Sequence, residues 1–266
     1  MLNDFDLITH AFPGEVTIYP VGDVHLGAIE HQEQEWQAFL KRVEAENAYI
    51  ILLGDLLNNN IRSCKFANPF DEILRPREAK ARMMNYLEPL AKRILLATGG
   101  NHERRTERET DNDLTRDIMV KLDLEHLYRP NIAFMTITTG KRPNHERAEC
   151  SFNFAVTHGA GGGFLTGAAV NRAERFGGMA IDGLDCLIVG HTHKPFTTTP
   201  AKIVIDARNR VVMIKSYTVV SCTSWLQYGG YAARAMLTPT TTSKPQKLIL
   251  SADHHNKEIT VITKGG

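Results

Sequence analysis

Cysteine is scarce. The four residues, Cys64, Cys150, Cys186 and Cys222, lie far apart and make no CxxC pair. That argues against a disulfide framework and reads as reduced thiols in a cytosol. Long apolar runs are missing as well: none approaches the roughly 18 residues that span a bilayer. The N-terminus, MLNDFDLITHAF, lacks the charged-then-apolar order of a signal segment. There is no excess of charge of either sign. Lys and Arg number 31 against 30 Asp and Glu, a net charge of +1 spread without long runs. Composition therefore argues neither for nor against nucleic acid, because a local basic patch would not show in it. Repeats and low-complexity segments are absent too. The expectation is a soluble cytoplasmic protein, with no membrane, whose 266 residues form a single domain over 1–266.

What is present is an alternation of short apolar runs with helical stretches. VTIYPV (16–21), AYIILL (48–53), ILLA (94–97), SFNFAVT (151–157) and DCLIV (185–189) read as strands; a continuous run such as AYIILL suits a strand covered on both faces. EQEWQAFLKRVEAE (33–46) places Trp36, Phe39, Leu40 and Val43 on one helical face. Met83, Leu87 and Leu90 form a second helical stripe, and Leu114, Ile118 and Leu122 a third. Further on, AKIVIDARNRVVMIKSYTVVSC and KLILSADHHNKEITVIT each read as a β-hairpin, the first with its turn near Asn209. A βαβ-like first part followed by an antiparallel second part predicts an α/β fold: a two-sheet β-sandwich flanked by helices, with the hairpins finishing the sandwich. The stretches 54–76 and 158–180 read as long irregular segments.

The chemistry collects just after the strands. VTIYPV is followed by Gly22, Asp23, Val24 and His25, and AYIILL by Gly54 and Asp55. ILLA leads into Thr98, Gly99, Gly100, Asn101, His102 and Glu103. SFNFAVT runs into His158 and Gly159, and DCLIV into Gly190, His191, Thr192 and His193. Open α/β sheets bind ligands beyond the carboxyl ends of their strands. Asp, Asn and His together offer oxygen and imidazole nitrogen without thiolate, which suits Mn, Fe, Zn or similar divalent ions better than an oxygen-only Ca or Mg cage. Seven such ligands exceed one tetrahedral ion and suit two ions sharing a carboxylate, a pair able to clamp a phosphoryl group.

The ordered set DVH…GD…GNHE…H…GHTH, spanning Asp23 to His193, resembles the calcineurin-like metallophosphoesterase superfamily. The resemblance implies a binuclear centre of two divalent metal ions, manganese first, with iron, zinc or nickel as alternatives. It implies that Asp23, His25 and His193 hold the first ion, that Asn101, His158 and His191 hold the second, and that Asp55 bridges them. His102 would face the substrate as a catalytic residue rather than a ligand. The implied fold is again a sandwich flanked by helices.

Other residues admit two readings. Arg104, Arg105 and Arg108 either clamp phosphate, Arg104 foremost by proximity, or form the solvated face of a charged helix. The run Gly161–Gly163 is a lid over substrate or a plain loop. Trp225 and Tyr228 either stack a base or fill the core. His10, His31, His126, His145, His254 and His255 fit no motif and read as surface or structural.

The second motif continues GDLLNN, where protein phosphatases of the superfamily carry GDxxDRG. That argues against a protein phosphatase and leaves His102 without a carboxylate partner, with Asn58 able to orient the ring. DVHLG resembles the Mre11/SbcD-type DNA-repair nucleases, yet only 73 residues follow GHTH, with little room for a capping domain. The expected function is a phosphodiesterase or nuclease acting on DNA, RNA or a nucleotide. A phosphomonoesterase is the alternative, and a non-catalytic metal-binding scaffold the alternative of another class. Oligomeric state is left open, a homodimer included.

Overall fold

The computed structural model describes residues 4–62, 68–140, 150–161, 165–253 and 256–263. One sheet contains β2 (Val16–Val21), β3 (Tyr49–Leu52), β4 (Ile94–Thr98) and the short β5 (Tyr128–Arg129), all parallel, with β13 (Lys247–Asp253) and β14 (Asn256–Ile262) added antiparallel at the other edge. The second sheet runs β1 (Ile8–Phe12), β6 (Ile132–Thr139), β7 (Cys150–Thr157), β8 (Cys186–Val189), β12 (Thr218–Ser221) and β9 (Phe196–Thr198). Neighbours β7 and β8 are parallel, as are β8 and β12. Helices α1 (Glu33–Ala45), α2 (Pro76–Leu87), α3 (Glu103–Thr110), α4 (Leu114–Lys121), α5 (Thr166–Ala180) and α6 (Gly230–Arg234) complete the molecule. The architecture is the α/β sandwich that the texture of the sequence predicts.

Side-chain alternation along the second sheet sorts its residues into two cores. Phe152, Phe154, Val156, Ile188 and Val220 point into the main core with Ile18, Ile50, Leu52 and Leu96 of the facing sheet. Their neighbours Ala155, Leu187 and Val219 point outward, into a smaller cluster with Ala173 of α5 and Tyr217. The helical stripes are buried as their spacing requires: Trp36, Phe39, Leu40 and Val43 on α1, then Met83, Leu87 and Leu90, then Leu114 and Ile118. Trp225 is fully buried against Trp36 and Phe39, so it is a core residue, whereas Tyr228 is half exposed. The free thiols Cys150, Cys186 and Cys222 are all buried. No helix among the described residues is long and apolar enough to cross a membrane.

Four features depart from the sequence reading. First, the segment 158–180 is not irregular throughout: Thr166–Ala180 is helical. Its glycines disguise it, and they serve packing. A Cβ on Gly177 would lie 2.8 Å from the Tyr217 ring, and one on Gly178 2.9 Å from the Tyr217 hydroxyl. The lid reading of Gly161–Gly163 falls largely outside the described residues. Second, β1 and β6, pairing in parallel, add an edge that the sequence reading overlooks. Third, among its described residues 54–76 contains one 3₁₀ turn, Pro69–Asp71, and its last residue, Pro76, opens α2. Fourth, only the second hairpin finishes the sandwich. The first, β10 (Ala201–Asp206) with β11 (Val211–Ser216), forms a two-stranded sheet of its own, and β12 alone continues from it into the sandwich.

Close packing at Gly177 yields a measurable consequence. Gly177→Val should destabilise the protein by about 2 kcal/mol through overpacking against Tyr217. Gly167→Ala, with open space around its added methyl, should be neutral or stabilising, by up to about 1 kcal/mol. Equal denaturation midpoints for the two variants would refute this account of α5.

Candidate metal centre

The parallel strands of both sheets deliver their carboxyl ends to the same end of the sandwich. The register of β2 and β3 runs on past the strands: Asp23 N donates to Gly54 O at 3.2 Å, and His25 N to Asp55 O at 2.9 Å. From the other sheet, His158 Nδ1 donates to Leu53 O at 2.6 Å, and the backbone N–H of His191 donates to Asp23 Oδ2 at 2.9 Å. Two glycines let β3 and β4 meet at their tips. A Cβ on Gly54 would collide with the backbone of Gly100, and one on Gly100 with Asp55 and the Glu103 carboxylate. Asp23, His25, Asp55, His191 and His193 all hold left-handed backbone, with φ of 52°, 51°, 48°, 71° and 54°. Each such residue costs on the order of 1–2 kcal/mol. Strain concentrated on the chemistry-bearing residues marks a site.

The side chains converge in two groups that share Asp55. In the first, His193 Nε2 lies 3.2 Å from Asp23 Oδ1 and 3.1 Å from His25 Nε2. In the second, Asn101 Oδ1 lies 2.9 Å from His158 Nε2 and 2.7 Å from His191 Nδ1, while His158 Nε2 is 3.2 Å from Asp55 Oδ2. The same Asp55 oxygen is 3.9 Å from His25 Nε2. All seven residues named from the sequence as ligands therefore meet at one place, and His102 joins His25 and Asp55 there in a further cluster of donor atoms. Asp23, His25, Asp55 and His158 are buried, His191 and His193 half-buried, and Asn101 exposed.

These residues fit divalent cations. Donors about 2.1 Å from one ion stand roughly 3 Å from each other, as these do. Asp23 Oδ1 is buried with no hydrogen-bond partner, facing the nitrogens of the first group. His158 spends Nδ1–H on Leu53 O, so it is Nε2 that faces the second group and offers a lone pair once its proton is displaced; a backbone acceptor of this kind sets the tautomer of a ligating histidine.

Charge follows the same geometry. Burial would raise the Asp23 carboxyl, but the neighbouring His193, together with His25, holds it well below the usual carboxylate range. For Asp55, burial is likewise outweighed by His102 and His158. Burial would lower His158, yet the Asp55 carboxylate beside it raises its pKa to about 10. His193 is raised as well: Asp23 prevails over burial. His25 is lowered by burial against the pull of Asp23.

Three residues outside the ligand set hold the site together. Glu103, fully buried, accepts the N–H of Asp55 at 3.0 Å and of Leu57 at 2.9 Å. Burial and then the Asp55 charge push its pKa up to about 7. Asn59 Nδ2 donates to His102 O at 2.6 Å. Arg105 donates to His102 Nε2 at 2.8 Å, to Asn60 Oδ1 at 2.7 Å and to Asn58 O at 3.1 Å. The signal for Glu103 was its place in GNHE; for Arg105 it was the helical offset of three from His102.

His102 stands beside the groups, its Nε2 3.8 Å from Asp55 Oδ2 and its ring 4.4 Å from that of His25. Asn58 does orient it, but through the backbone: His102 Nδ1 donates to Asn58 O at 2.6 Å, while the Asn58 side chain binds Glu72. Burial pushes His102 down to about 3 against the pull of Asp55, and His25 and Arg105 add to the fall. Arg104 turns the other way, donating to Pro130 O and Asn131 Oδ1 at 2.7 and 2.8 Å. It lines a cavity of about 170 Å³ with Asn101, Asn131, Thr157 and His158. The α3 helix is charged along its exposed end, where Arg108 lies.

Two donor groups hinged on one carboxylate, at the strand ends of a two-sheet sandwich, define a candidate binuclear metal centre. A family model, Calcineurin-like phosphoesterase, matches residues 16–195. The chain belongs to this family. Solved structures similar to it include Vacuolar Protein Sorting 29 from Cryptosporidium parvum, at 11% identity and a TM-score of 0.38, covering 94% of this chain and 100% of that one. A double mutant of Vps29 from Entamoeba histolytica gives 12% identity and a TM-score of 0.38 with the same coverage. GAP50, described as the anchor in the inner membrane complex of Plasmodium, gives 9% identity and a TM-score of 0.46, over 94% of this chain and 85% of that one. No curated protein matches the sequence.

The protonation pattern sets the pH dependence of metal loading. A ligating imidazole must be neutral, and His158, raised to about 10, carries a proton at neutral pH. Cation binding should therefore release protons, and affinity should rise with pH, by up to about tenfold per unit for each proton displaced. Calorimetric titration with Mn²⁺ in buffers of different ionisation enthalpy measures the release. An affinity independent of pH between about pH 6 and 8 would contradict it.

Proposed function

We propose that the protein is a two-metal phosphoester hydrolase of the phosphodiesterase type, acting on nucleic acid or a nucleotide. The observation that carries this reading is Asp55 Oδ2, which faces His158 Nε2 at 3.2 Å and His25 Nε2 at 3.9 Å and so belongs to both donor groups. The residues proposed to hold one ion are Asp23, His25 and His193, with Asn101, His158 and His191 for the other and Asp55 between them. The mixed oxygen and nitrogen set suits manganese, then iron, zinc or nickel. Divalent cations bound there would polarise a phosphoryl group and make water acidic enough to attack it at neutral pH.

The chain's own groups position the reaction. Glu103 and the backbone N–H of His102 clamp Asp55 from both ends, at its N–H and at its Oδ1. Asn58 O fixes the His102 ring, and Arg105 brings a guanidinium to the ring's free nitrogen. We assign the Arg105 guanidinium, positioned by His102, to the phosphoryl oxygens, because guanidinium binds phosphate through parallel N–H donors. The cavity beside Asn101 and Arg104 is the proposed subsite for one arm of a diester. DVHLG and the Asn58–Asn59 pair in place of an acidic–arginine pair support a diesterase over a protein phosphatase.

Hydrolysis with Mn²⁺ of bis-p-nitrophenyl phosphate, p-nitrophenyl phosphate and single-stranded DNA tests the reading. The diester and DNA should be cleaved in preference to the monoester, and Asp55→Asn should abolish turnover and weaken metal loading. Preference for the monoester would replace this reading with a phosphomonoesterase. Two ions bound with no turnover would replace it with a scaffold. His102→Ala should retain both ions and lower kcat by about 10²–10⁴; loss of metal would make His102 a ligand instead. Arg105→Ala should raise KM about tenfold, the order expected for one charge-assisted contact, and an unchanged KM would remove it from the substrate site.

A further inference from the structure

The turn Asn58–Asn60 supplies none of the seven candidate ligands, yet the His102 corner is built on it. Asn58 O accepts His102 Nδ1–H at 2.6 Å and the Arg105 guanidinium at 3.1 Å, and Asn60 Oδ1 accepts the same guanidinium at 2.7 Å. Between these two acceptors stands Asn59 in left-handed backbone, with φ of 49°. Such a conformation persists only where its surroundings fix it. Rotation of the peptide on one side of Asn59 would turn Asn58 O away from the ring, and rotation on the other would withdraw Asn60 from the guanidinium.

Glu72 grips the turn on both sides of Asn59. Its Oε1 accepts the Asn58 side-chain Nδ2–H at 2.9 Å and the backbone N–H of Asn60 at 2.7 Å. Glu72 is itself anchored on another part of the chain: it bridges to Ala28, and Ile73 N donates to Gly27 O at 2.8 Å. Gly27 leaves room for it, since a Cβ there would lie 2.7 Å from Glu72 Oε2. This half-buried carboxylate therefore links the backbone two residues past His25 to the turn that holds His102 and Arg105.

We propose that Glu72 is a positioning residue for the phosphoryl-binding corner, acting through Asn58 and Asn60 to hold the His102 ring and the Arg105 guanidinium toward the metal groups. The inference rests on the assignment of Arg105 to the phosphoryl oxygens. What the turn takes from Glu72 is an acceptor at a fixed place. Two N–H groups converge on Oε1, and an amide oxygen accepts them as a carboxylate oxygen does. A side chain shorter by one methylene, on the same anchored backbone, does not reach them. Position and charge are thus separable: Glu72→Gln keeps the first and loses the second, and Glu72→Asp does the reverse. A counter-charge for Arg105 would require the opposite ranking of the two variants.

Two measurements on the full chain test this. The first needs no turnover. In the Zn²⁺-loaded protein, the His102 Nδ1–H resonance is assigned by its loss in His102→Ala. Glu72→Ala and Glu72→Asp should make this proton exchange with water about tenfold faster, the scale of one hydrogen bond. The His158 Nδ1–H, bound to Leu53 O, should not change, and Glu72→Gln should match the wild type. The second is hydrolysis of bis-p-nitrophenyl phosphate with Mn²⁺. Glu72→Ala should raise KM about tenfold with both ions retained, and Glu72→Gln should restore it to within about twofold. Added to Arg105→Ala, Glu72→Ala should raise KM further by less than about twofold, because the two act on one contact. Should Glu72→Ala not fold, the Gln and Asp variants decide. An unchanged His102 resonance would overturn the proposal, as would an unchanged KM in an active enzyme. Activity kept by Glu72→Asp and lost by Glu72→Gln would overturn it too, in favour of a counter-charge. A wild type silent on phosphoesters, whose His102 resonance still responds to Glu72, would overturn the hydrolase reading and support the hold of Glu72 on the turn.

Discussion

Everything at the site hangs on how one buried carboxylate is held. Asp55 follows β3 with a left-handed backbone, its N–H bound by Glu103, its Oδ1 by the N–H of His102, and its Oδ2 left to the two donor groups. All of these contacts need the tips of β3 and β4 to touch, and they touch because Gly54 and Gly100 have no side chains. Any Cβ at either position would separate the strands, and with them Asp55 from Asn101 and His102. The order is therefore backbone first: two glycines allow the approach, the approach admits Glu103, and Glu103 orients Asp55.

The arrangement is unfavourable taken alone. Two carboxylates and several imidazoles are removed from water, and five residues hold left-handed backbone. Buried charge is tolerated only where opposite charge and hydrogen bonds compensate it. Here Asp23 meets His193, Asp55 meets His158, and backbone groups take the remaining oxygens. The surrounding sandwich, apolar on the inner faces of both sheets, supplies the stability that such a site draws on. Rigid strands also account for how donors more than 160 residues apart, such as Asp23 and His193, come within 3.2 Å.

Much of this was legible before any coordinates. Each donor follows a strand, and five of the seven stand next to a glycine, a local pattern that survives in the sequence even though the convergence does not. Burial along α1 is equally readable, because Trp36, Phe39, Leu40 and Val43 repeat at helical spacing. Helix α5 was not readable, since Gly167, Gly177 and Gly178 imitate a loop and only the Tyr217 ring explains two of them. Nor was the detachment of the first hairpin: its alternation is that of a half-buried strand, and nothing local reveals that, among the described residues, its apolar face is left largely exposed. Arg105 was visible as a cation next to GNHE, but choosing it over Arg104 needs the helix phase that turns Arg104 toward Pro130 and Arg105 toward His102.

That choice bears on the chemistry. An imidazole whose Nδ1–H goes to a carboxylate is made more basic and holds a proton ready for a leaving group. His102 gives its Nδ1–H to the carbonyl of Asn58 instead, which fixes the ring without adding negative charge. Its other nitrogen accepts from Arg105, and an arginine can only donate. The ring is thus neutral, and the positive charge at this corner belongs to the guanidinium. With its one N–H spent, the neutral ring positions the Arg105 guanidinium, and in the proposed reaction it is that permanent cation that would stabilise charge spread over phosphoryl oxygens. Phosphodiesters with good leaving groups place the least demand on a general acid, so under the proposed phosphodiesterase reading the presence of Asn58 and Arg105 instead of a carboxylate partner makes electrostatic stabilisation the main contribution of this side of the site.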